Sequence, residues 1–178
     1  NLGVALRQLG QLDSAAQAFG DAVGLNPRHA PAYQELGDVA VARDLLDEAE
    51  WAYSQALQLT READDPSGQA LAHLNLGRLY RRLGGRQSDA QRELEQALDP
   101  AEDMVYTWAF YELGLLDMDA GEFEAAIARF KPSAELFDVL GDVRASARAN
   151  LQLGRAYLAQ QDQTAAAGPL EKARQQLA

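Results

Sequence analysis

The chain has 178 residues, of which 47% are hydrophobic and 24% are charged, a balance typical of folded, water-soluble proteins. Its net charge of −11 argues against general binding to nucleic acid or to an anionic membrane surface, because both are bound through cations that neutralise phosphate. The absence of Cys excludes disulfides, thiolate metal sites and a cysteine nucleophile.

A Leu-Gly pair recurs along the sequence. The glycines of successive pairs are 34, 40, 37 and 40 residues apart. After most copies come a turn, an alanine and, four residues on, an aromatic residue or Leu. A period of this length indicates an array of small helical units, each packing on the next. The five pairs are Leu2-Gly3, Leu36-Gly37, Leu76-Gly77, Leu113-Gly114 and Leu153-Gly154.

The first copy, residues 1–27, is predicted to form two helices. Gly10 is expected to end the first helix, and Asp13 or Ser14 to cap the second. Phe19 then lies on one face of the second helix, together with the alanines at helical spacing around it. One solenoid over residues 1–178 is predicted, as a fragment of a longer protein, with the remaining copies at residues 28–65, 66–101, 102–141 and 142–178.

The later copies contain three local irregularities. A polar turn at residues 61–68 is predicted to supply a capping Ser or Asp for the helix that follows. One extra residue lies in the turn between Gly84 and Asp89 of the third copy. Pro132 falls inside a second helix and predicts a kink, and Gly168-Pro169 is predicted to interrupt the last helix in the same way.

The recurrence of glycine in the first helices needs a physical reason. Glycine inside a helix costs about 1 kcal/mol relative to alanine. Five equivalent glycines therefore predict a close approach of the two helices of each pair. The sequence as a whole predicts an all-α solenoid of five antiparallel helix pairs.

The pattern resembles the tetratricopeptide repeat, whose motif is W-x2-L-G-x2-Y followed by A-x3-F and P. The third copy fits Leu76-Gly77-x2-Tyr80, and the fifth fits Leu153-Gly154-x2-Tyr157. The longer periods, with Asn before Leu-Gly, are similar to the variant in kinesin light chains. The resemblance implies a right-handed superhelix whose first helices line a concave groove for a peptide or a partner's helix. Residues other than Trp fill the Trp position: Tyr33, His73, Phe110 and Asn150.

The resemblance also implies which side chains face the groove. They lie just before and just after Leu-Gly, farther along the helix where Arg82 stands, and five residues before Leu-Gly, where Pro31 and Leu71 stand in the second and third copies. Amide side chains there are expected to bond a peptide backbone, Arg to meet acids, and Trp to anchor an apolar group. The predicted binding residues are Asn1, Asn75, Arg78, Arg82, Trp108, Glu112, Arg148, Gln152 and Arg155.

Several alternatives stay open at this stage. The polar positions are also consistent with a solvated face of internal salt bridges, and less well with phosphate or nucleic-acid binding. The array itself could serve for self-association through uncapped ends, giving a homo-oligomer, or as a regulatory module of a larger enzyme or transcription regulator. The abundance of Arg over Lys and the lack of Cys favour a bacterial, cytoplasmic protein.

No catalytic constellation is recognised. His29 lies in an inter-repeat turn, and His73 at the Trp position is predicted to be a packed filler. His73 lacks a second ligand at i+3 or i+4, where Leu76 and Gly77 stand. We therefore predict a non-enzymatic scaffold without metal or cofactor, whose ligand is a protein or peptide, acidic peptides included, and neither nucleic acid nor membrane.

Overall fold

A computed structural model of the chain describes residues 2–99, 101 and 103–177. This part of the chain forms ten α-helices and contains no strand. The chain divides into two compact units, residues 1–97 (unit 1) and 98–178 (unit 2). The all-α fold of five helix pairs is therefore confirmed, and a single continuous solenoid stays a prediction. Asn1, a predicted binding residue, lies outside the described residues.

Unit 1 contains three helix pairs. Each helix packs against the next one along the chain, and the first helices of the second and third pairs also touch each other. The helices are α1 (Leu2–Gln8), α2 (Leu12–Leu25), α3 (Ala30–Ala42), α4 (Leu46–Glu62), α5 (Pro66–Leu83) and α6 (Gln87–Gln96).

Unit 2 contains two helix pairs with the same pattern of packing, including a contact between its two first helices. The helices are α7 (Asp103–Ala120), α8 (Phe123–Val139), α9 (Val143–Ala159) and α10 (Gln163–Leu177). Among the residues described in either unit, no helix is both long and apolar enough to cross a membrane.

The Leu-Gly glycines lie where the two helices of a pair meet. A Cβ atom built on any of the five would lie 2.8 Å or less from a side chain of the second helix, closer than real Cβ atoms approach. The predicted close approach is thus confirmed. The partner follows its glycine by 16 residues, or by 17 in the third copy, which has the extra turn residue. The five partners are Phe19, Tyr53, Leu94, Phe130 and Leu170.

The helix ends confirm two of the predicted signals and correct a third. Gly10, with φ of 74°, follows α1 in the left-handed region that favours glycine. The Asp65 carboxylate caps α5 by accepting a hydrogen bond from the Gly68 N–H at 3.0 Å. The predicted cap at Asp13 or Ser14 is wrong, because α2 already begins at Leu12. Asp13 lies in the first turn, where the helix dipole favours an acid.

Both prolines in second helices lie inside continuous helices. α8 continues through Pro132, and α10 continues through Gly168 and Pro169. The predicted interruption at Gly168-Pro169 is therefore wrong, because a proline removes one backbone hydrogen bond while the turns on either side keep theirs. The kink at Pro132 stays a prediction.

Candidate functional site

In unit 1, polar side chains join the first helices to one another. The Asn75 Nδ2 of α5 donates a hydrogen bond to Gln34 Oε1 of α3 at 2.9 Å. Arg7 of α1 forms an ion pair with Glu35 of α3 at 3.1 Å. Each contact joins one predicted groove position, Asn75 or Glu35, to a residue of a neighbouring copy. They also mean that the Asn75 amide already serves a structural role.

Arg82, another predicted binding residue, spans the end of α3. Its guanidinium donates to Asp44 Oδ1 at 2.8 Å and to the carbonyl oxygen of Val41 at 3.3 Å. Both partners belong to the exposed end of the preceding first helix and the turn after it. A ligand carboxylate would therefore have to compete with Asp44 for this cation.

Arg78 is half-buried and lies near the hydroxyl of Tyr53, whose ring packs against α3. The Tyr53 hydroxyl donates a hydrogen bond to Asp38 Oδ1 at 2.8 Å. Burial, reinforced by Asp38, raises the pKa of Tyr53, while the positive charges of Arg78 and Arg7 act in the opposite direction. The first-helix face of unit 1 thus holds several charges of both signs, as one of the sequence alternatives anticipated.

A pocket of about 170 Å³ opens between the N-terminal halves of α3 and α5. Pro31 and Leu71, the two equivalent positions five residues before Leu-Gly, both line it. Leu71 is 39% exposed although it is a large apolar residue. The complete lining is Ala30, Pro31, Gln34, Glu35, Thr60, Asp65, Gly68 and Leu71.

The pocket contains the buried side-chain amide of Gln34, of which the oxygen is hydrogen-bonded and the nitrogen is not. Gln34 is 8% exposed, and its Oε1 accepts from Asn75. Its Nε2 is buried and has no hydrogen-bond partner within the described part of the chain. Leaving a buried donor unpaired costs about 1–3 kcal/mol. A ligand that brings an acceptor atom to this pocket would remove that cost.

Glu35 Oε2 forms an ion pair with Arg7 at 3.1 Å but has no hydrogen bond within the described residues, whereas Thr60 and Asp65 are hydrogen-bonded. The Thr60 hydroxyl donates to the carbonyl oxygens of Ala56 and Leu57, both at 3.0 Å. Asp65 is held by its cap bond to the Gly68 N–H. The arrangement therefore combines apolar walls with a single unused hydrogen-bond donor.

The sequence analysis did not single out Gln34, although a signal was present. Gln34 stands two residues before Leu36, and the equivalent residues in the next three copies are Leu74, Tyr111 and Leu151. A polar residue at a position that is otherwise apolar was the available indication of a special role.

In unit 2, two of the predicted binding residues are largely part of the interior. The Trp108 ring packs with its centroid 4.8 Å from that of Phe137 and 5.5 Å from that of Tyr111. Glu112 is only 6% exposed. An anchoring role for Trp108 stays a prediction, since its ring already packs against Phe137 and Tyr111.

The remaining predicted residues of unit 2 lie on α9. Arg148 and Arg155 are exposed, and Gln152 is half-buried between them along the helix. Arg155 donates to Gln152 Oε1 at 3.5 Å, a long hydrogen bond. These side chains are accessible to a partner.

His73 is packed, as predicted, and takes part in a polar cluster with the second helices. Its Nδ1 lies 2.7 Å from Glu93 Oε2, and its Nε2 lies 3.5 Å from the Arg61 guanidinium. The contact with His73 holds the pKa of Glu93 below its usual value of 4.5. Within the described residues no group of three or more His, Asp or Glu is placed to hold a metal ion.

Three family models with the description tetratricopeptide repeat match residues 1–29, 28–103 and 111–178. No curated protein matches the sequence. Among solved structures, the chain is similar to MamA, with 22% identity over 99% of this chain and 95% of that chain and a TM-score of 0.72. It is also similar to YrrB, described as a TPR protein with an unusual peptide-binding site, with 22% identity over 99% and 83% of the two chains and a TM-score of 0.65.

A third similar structure is a candidate kinesin light chain of Podosopora anserina with nearly identical TPR-like repeats. The identity is 17%, the match covers 99% of this chain and 92% of that chain, and the TM-score is 0.71. These likenesses agree with the resemblance to the longer kinesin-light-chain type of repeat. With family models over nearly its whole length and the same fold in each of these structures, the chain belongs to the tetratricopeptide repeat family.

Proposed function

We propose that this protein is a non-catalytic interaction scaffold whose unit 1 binds an extended segment of a partner protein. The repeat fold supports the scaffold role, and YrrB is an example of the same fold with a peptide-binding site. The observation that carries the proposal is the pocket between α3 and α5, with the unpaired Gln34 Nε2 in its lining.

The size and walls of the pocket favour one apolar side chain. Its volume of about 170 Å³ is close to that of an engineered cavity of about 150 Å³ that binds benzene. Ala30, Pro31 and Leu71 supply apolar walls. Burying a Leu- or Phe-sized side chain contributes about 1.5–3 kcal/mol. One such anchor would supply much of the affinity of a short segment.

The unused donor favours an extended ligand over a helical one. Most carbonyl oxygens of a helix already accept a hydrogen bond from within the helix, whereas those of an extended segment are available. Gln34 Nε2 would then donate to a main-chain carbonyl next to the anchoring side chain. This pairing would satisfy the amide without breaking its existing bond to Asn75.

Arg78 and Arg82 extend the proposed site along α5 towards acidic residues of the ligand. Arg82 is held by an exposed ion pair with Asp44, which typically contributes less than about 1 kcal/mol, so a ligand acid could replace Asp44. The predicted contacts of Trp108, Glu112 and Gln152 in unit 2 stay predictions beside this one.

The proposal is tested by selecting ligands from a random library of short peptides displayed on phage, with the whole chain as bait. Enriched peptides should share an apolar position, and their affinity is then measured for two variants. Leu71→Arg places a charge at the pocket mouth. Gln34→Glu keeps the oxygen that accepts from Asn75 and replaces the unused donor with an acceptor. Each should weaken binding about tenfold or more, equal to about 1.4 kcal/mol.

The matched control is Leu25→Arg, which introduces the same charge at an 89% exposed residue of α2 in the same unit. It should leave the affinity within about twofold of the original, which is under about 0.5 kcal/mol. Failure to enrich peptides, or enriched peptides that bind all three variants equally well, would remove the pocket as the binding site.

A further inference from the structure

A pocket of about 400 Å³ in unit 2 lies on the face of α9 opposite to the predicted groove positions. Leu153 and Tyr157 of α9 line it, whereas Arg148 and Arg155 are the predicted groove residues. At 3.6 residues per turn these two sets of side chains leave the helix on opposite sides. The other walls come from the second helices α8 and α10. We call this space the second-helix pocket, and it is separate from both the predicted groove and the pocket of unit 1.

Small residues of α10 leave the second-helix pocket open. Ala165, Gly168 and Pro169 all line it. A Cβ atom on Gly168 would meet nothing within 4 Å, whereas one on Gly154 of the same pair would collide with Leu170. Glycine destabilises the interior of a helix relative to alanine. No contact within the described chain requires a glycine at this place in α10, and the space beside it is free for a ligand.

Both lysines of the chain line the second-helix pocket. The chain contains 16 Lys and Arg residues, and only Lys131 and Lys172 are Lys. Lys172 of α10 forms an ion pair with Asp138 of α8. Lys131 of α8 is exposed and has neither an ion-pair nor a hydrogen-bond partner within the described residues. An ammonium group is a compact charge on a flexible stem, so Lys131 can reach an anion in the pocket.

The hydroxyl of Tyr157 is a second group that the chain leaves unpaired. It has no hydrogen-bond partner among the residues that the structure describes. Counted from Leu-Gly, its counterpart in unit 1 is Tyr80, whose hydroxyl donates to Glu50 Oε1 at 2.9 Å. Ile127 stands in unit 2 where unit 1 has Glu50. Tyr157 therefore lacks this acceptor, and an oxyanion in the pocket would supply one.

The equivalent pocket of unit 1 has the opposite balance of charge. It measures about 510 Å³, and its lining contains Glu62 and Glu93 but one cation, Arg61. Pro169 stands in unit 2 where unit 1 has Glu93, since each directly precedes the partner of a Leu-Gly glycine. The lining in unit 2 has two cations and one acid, Glu135. Within an acidic chain, this repeat position has thus changed from acidic to basic.

We propose that the second-helix pocket binds a small organic anion, a carboxylate or a phosphate ester with a flat apolar body. The charge would pair with Lys131 and Lys172 and accept a hydrogen bond from Tyr157. The apolar body would lie against Leu153 and Pro169. The volume lies within the range of about 300–1,000 Å³ that is usual for ligand pockets. This site lies wholly in unit 2 and does not rest on the proposed function.

The scarcity of lysine gives a direct test. Isotope-labelled lysine adds the NMR signals of only two side chains, and both line the pocket. The whole chain is titrated with naphthoate, naphthyl phosphate, neutral naphthamide and cationic naphthylmethylamine. Both anions should shift the two lysine signals to saturation, and the tighter of them identifies the preferred charged group. The amide and the amine should bind at least about tenfold more weakly, because they cannot pair with ammonium groups.

Two variants connect the binding to the pocket. Gly168→Leu fills the space and should weaken the tighter anion at least about tenfold, whereas Gly24→Leu, at an equally open helix glycine of unit 1, should stay within about twofold. Lys131→Gln removes the unpaired charge and should also weaken the anion. Its control is Arg144→Gln, which removes one charge from an exposed residue of α9 outside the pocket.

Three results would overturn the proposal. The lysine signals could fail to shift, or shift without saturating, for both anions at millimolar concentration. Naphthamide could bind as tightly as the anions. Gly168→Leu or Lys131→Gln could lose no more affinity than its control. Glu135→Gln gives a further check, because removing the one acid of the lining should tighten the binding of an anion. Circular dichroism confirms that every variant keeps its helix content.

Discussion

The two units are built from the same helix pair, yet they join their first helices by different chemistry. In unit 1 the contact between α3 and α5 includes an amide–amide hydrogen bond between Gln34 and Asn75. In unit 2, α7, α8 and α9 share one hydrophobic cluster that contains Tyr111, partly buried Trp108 and a row of alanines. Within the described residues, unit 1 therefore contains a buried amide nitrogen without a hydrogen bond, and unit 2 has aromatic rings at the equivalent place.

This difference separates the contacts that hold each helix pair together from the positions whose residue type varies between copies. The contact between each Leu-Gly glycine and the second helix is present in both units and fixes the helix pair. The residue two positions before Leu-Gly differs between α3 and α7. Gln34 accepts a hydrogen bond from Asn75 of the neighbouring first helix, whereas the Tyr111 ring packs with its centroid 5.6 Å from that of Phe130, the partner of Gly114. This position therefore varies in chemistry between copies of the same repeat.

The largest effect is expected from removing a ring that only unit 2 possesses. Phe137 is fully buried and contacts both Trp108 and Tyr111. Phe137→Ala should destabilise unit 2 by about 3–5 kcal/mol through lost burial and the cavity left behind. If the units differ as described, unit 1 should change far less, because its first helices do not depend on this cluster.

The two tryptophans allow the units to be followed separately in a urea denaturation experiment. Trp51 reports on unit 1 and Trp108 on unit 2, and replacing one of them with Phe isolates the signal of the other. The control is Leu177→Ala, a truncation at a 60% exposed residue of the same unit, which should cost less than about 0.5 kcal/mol. Equal losses in both units after Phe137→Ala would show that their stabilities are not separable.

A smaller loss of stability should be the same in both units, because the substitution disturbs the contact between a Leu-Gly glycine and the second helix, which both units share. Gly37→Ala would drive a Cβ into the Tyr53 ring, and Gly114→Ala would drive one into the Phe130 ring. Each should cost about 1–3 kcal/mol, the usual range for an overpacked core. The matched control is Gly24→Ala in α2, where nothing lies within 4 Å of the new atom. That control should gain up to about 1 kcal/mol in the free energy of unfolding, because alanine favours the helix. Neutral substitutions at both Leu-Gly positions would contradict the close-approach explanation.

The helix pairs could be predicted from sequence because their signals are local and repeated. The distance from each Leu-Gly glycine to its partner is 16 residues or 17, and the one exception was visible as an inserted residue in a turn. The cap of α2 was predicted wrongly because helix ends are set by a few dihedral angles, and Asp13 suits the first turn as well as the cap.

The candidate site was less predictable because it depends on pairs far apart in the chain. Gln34 and Asn75 are separated by 41 residues, and no local pattern indicates that one amide will use the other as its partner. Leu71 and Pro31 were recognised as groove positions through the family resemblance alone. That their side chains enclose a pocket with an unpaired donor follows only from the packing of α3 on α5.

The smallest effect is expected from a polar contact between α5 and α6, the two helices of the third pair in unit 1. Glu93 of α6 has a pKa below 4.5, chiefly because it is hydrogen-bonded to His73. A carboxylate whose pKa is lower in the folded state than in the unfolded state stabilises the folded protein at pH values above its unfolded-state pKa. This contribution is lost as the pH falls through its folded-state pKa. Glu93→Gln keeps a hydrogen-bonding group beside His73 and removes the charge. It should lower the stability of unit 1 by at most about 1 kcal/mol near neutral pH.

The decisive measurement is the pH dependence of that difference, followed through Trp51. Between wild type and Glu93→Gln the free energies of unfolding should differ near neutral pH and converge as the pH falls below about 4.5, the usual value for this carboxyl. The matched control is Glu95→Gln, an exposed acid of the same helix whose carboxylate accepts a hydrogen bond from Gln91 at 2.8 Å. If both substitutions give the same small and pH-independent change, His73 and Glu93 act only as packing groups. The polar link between α5 and α6 would then be incidental to the stability of unit 1.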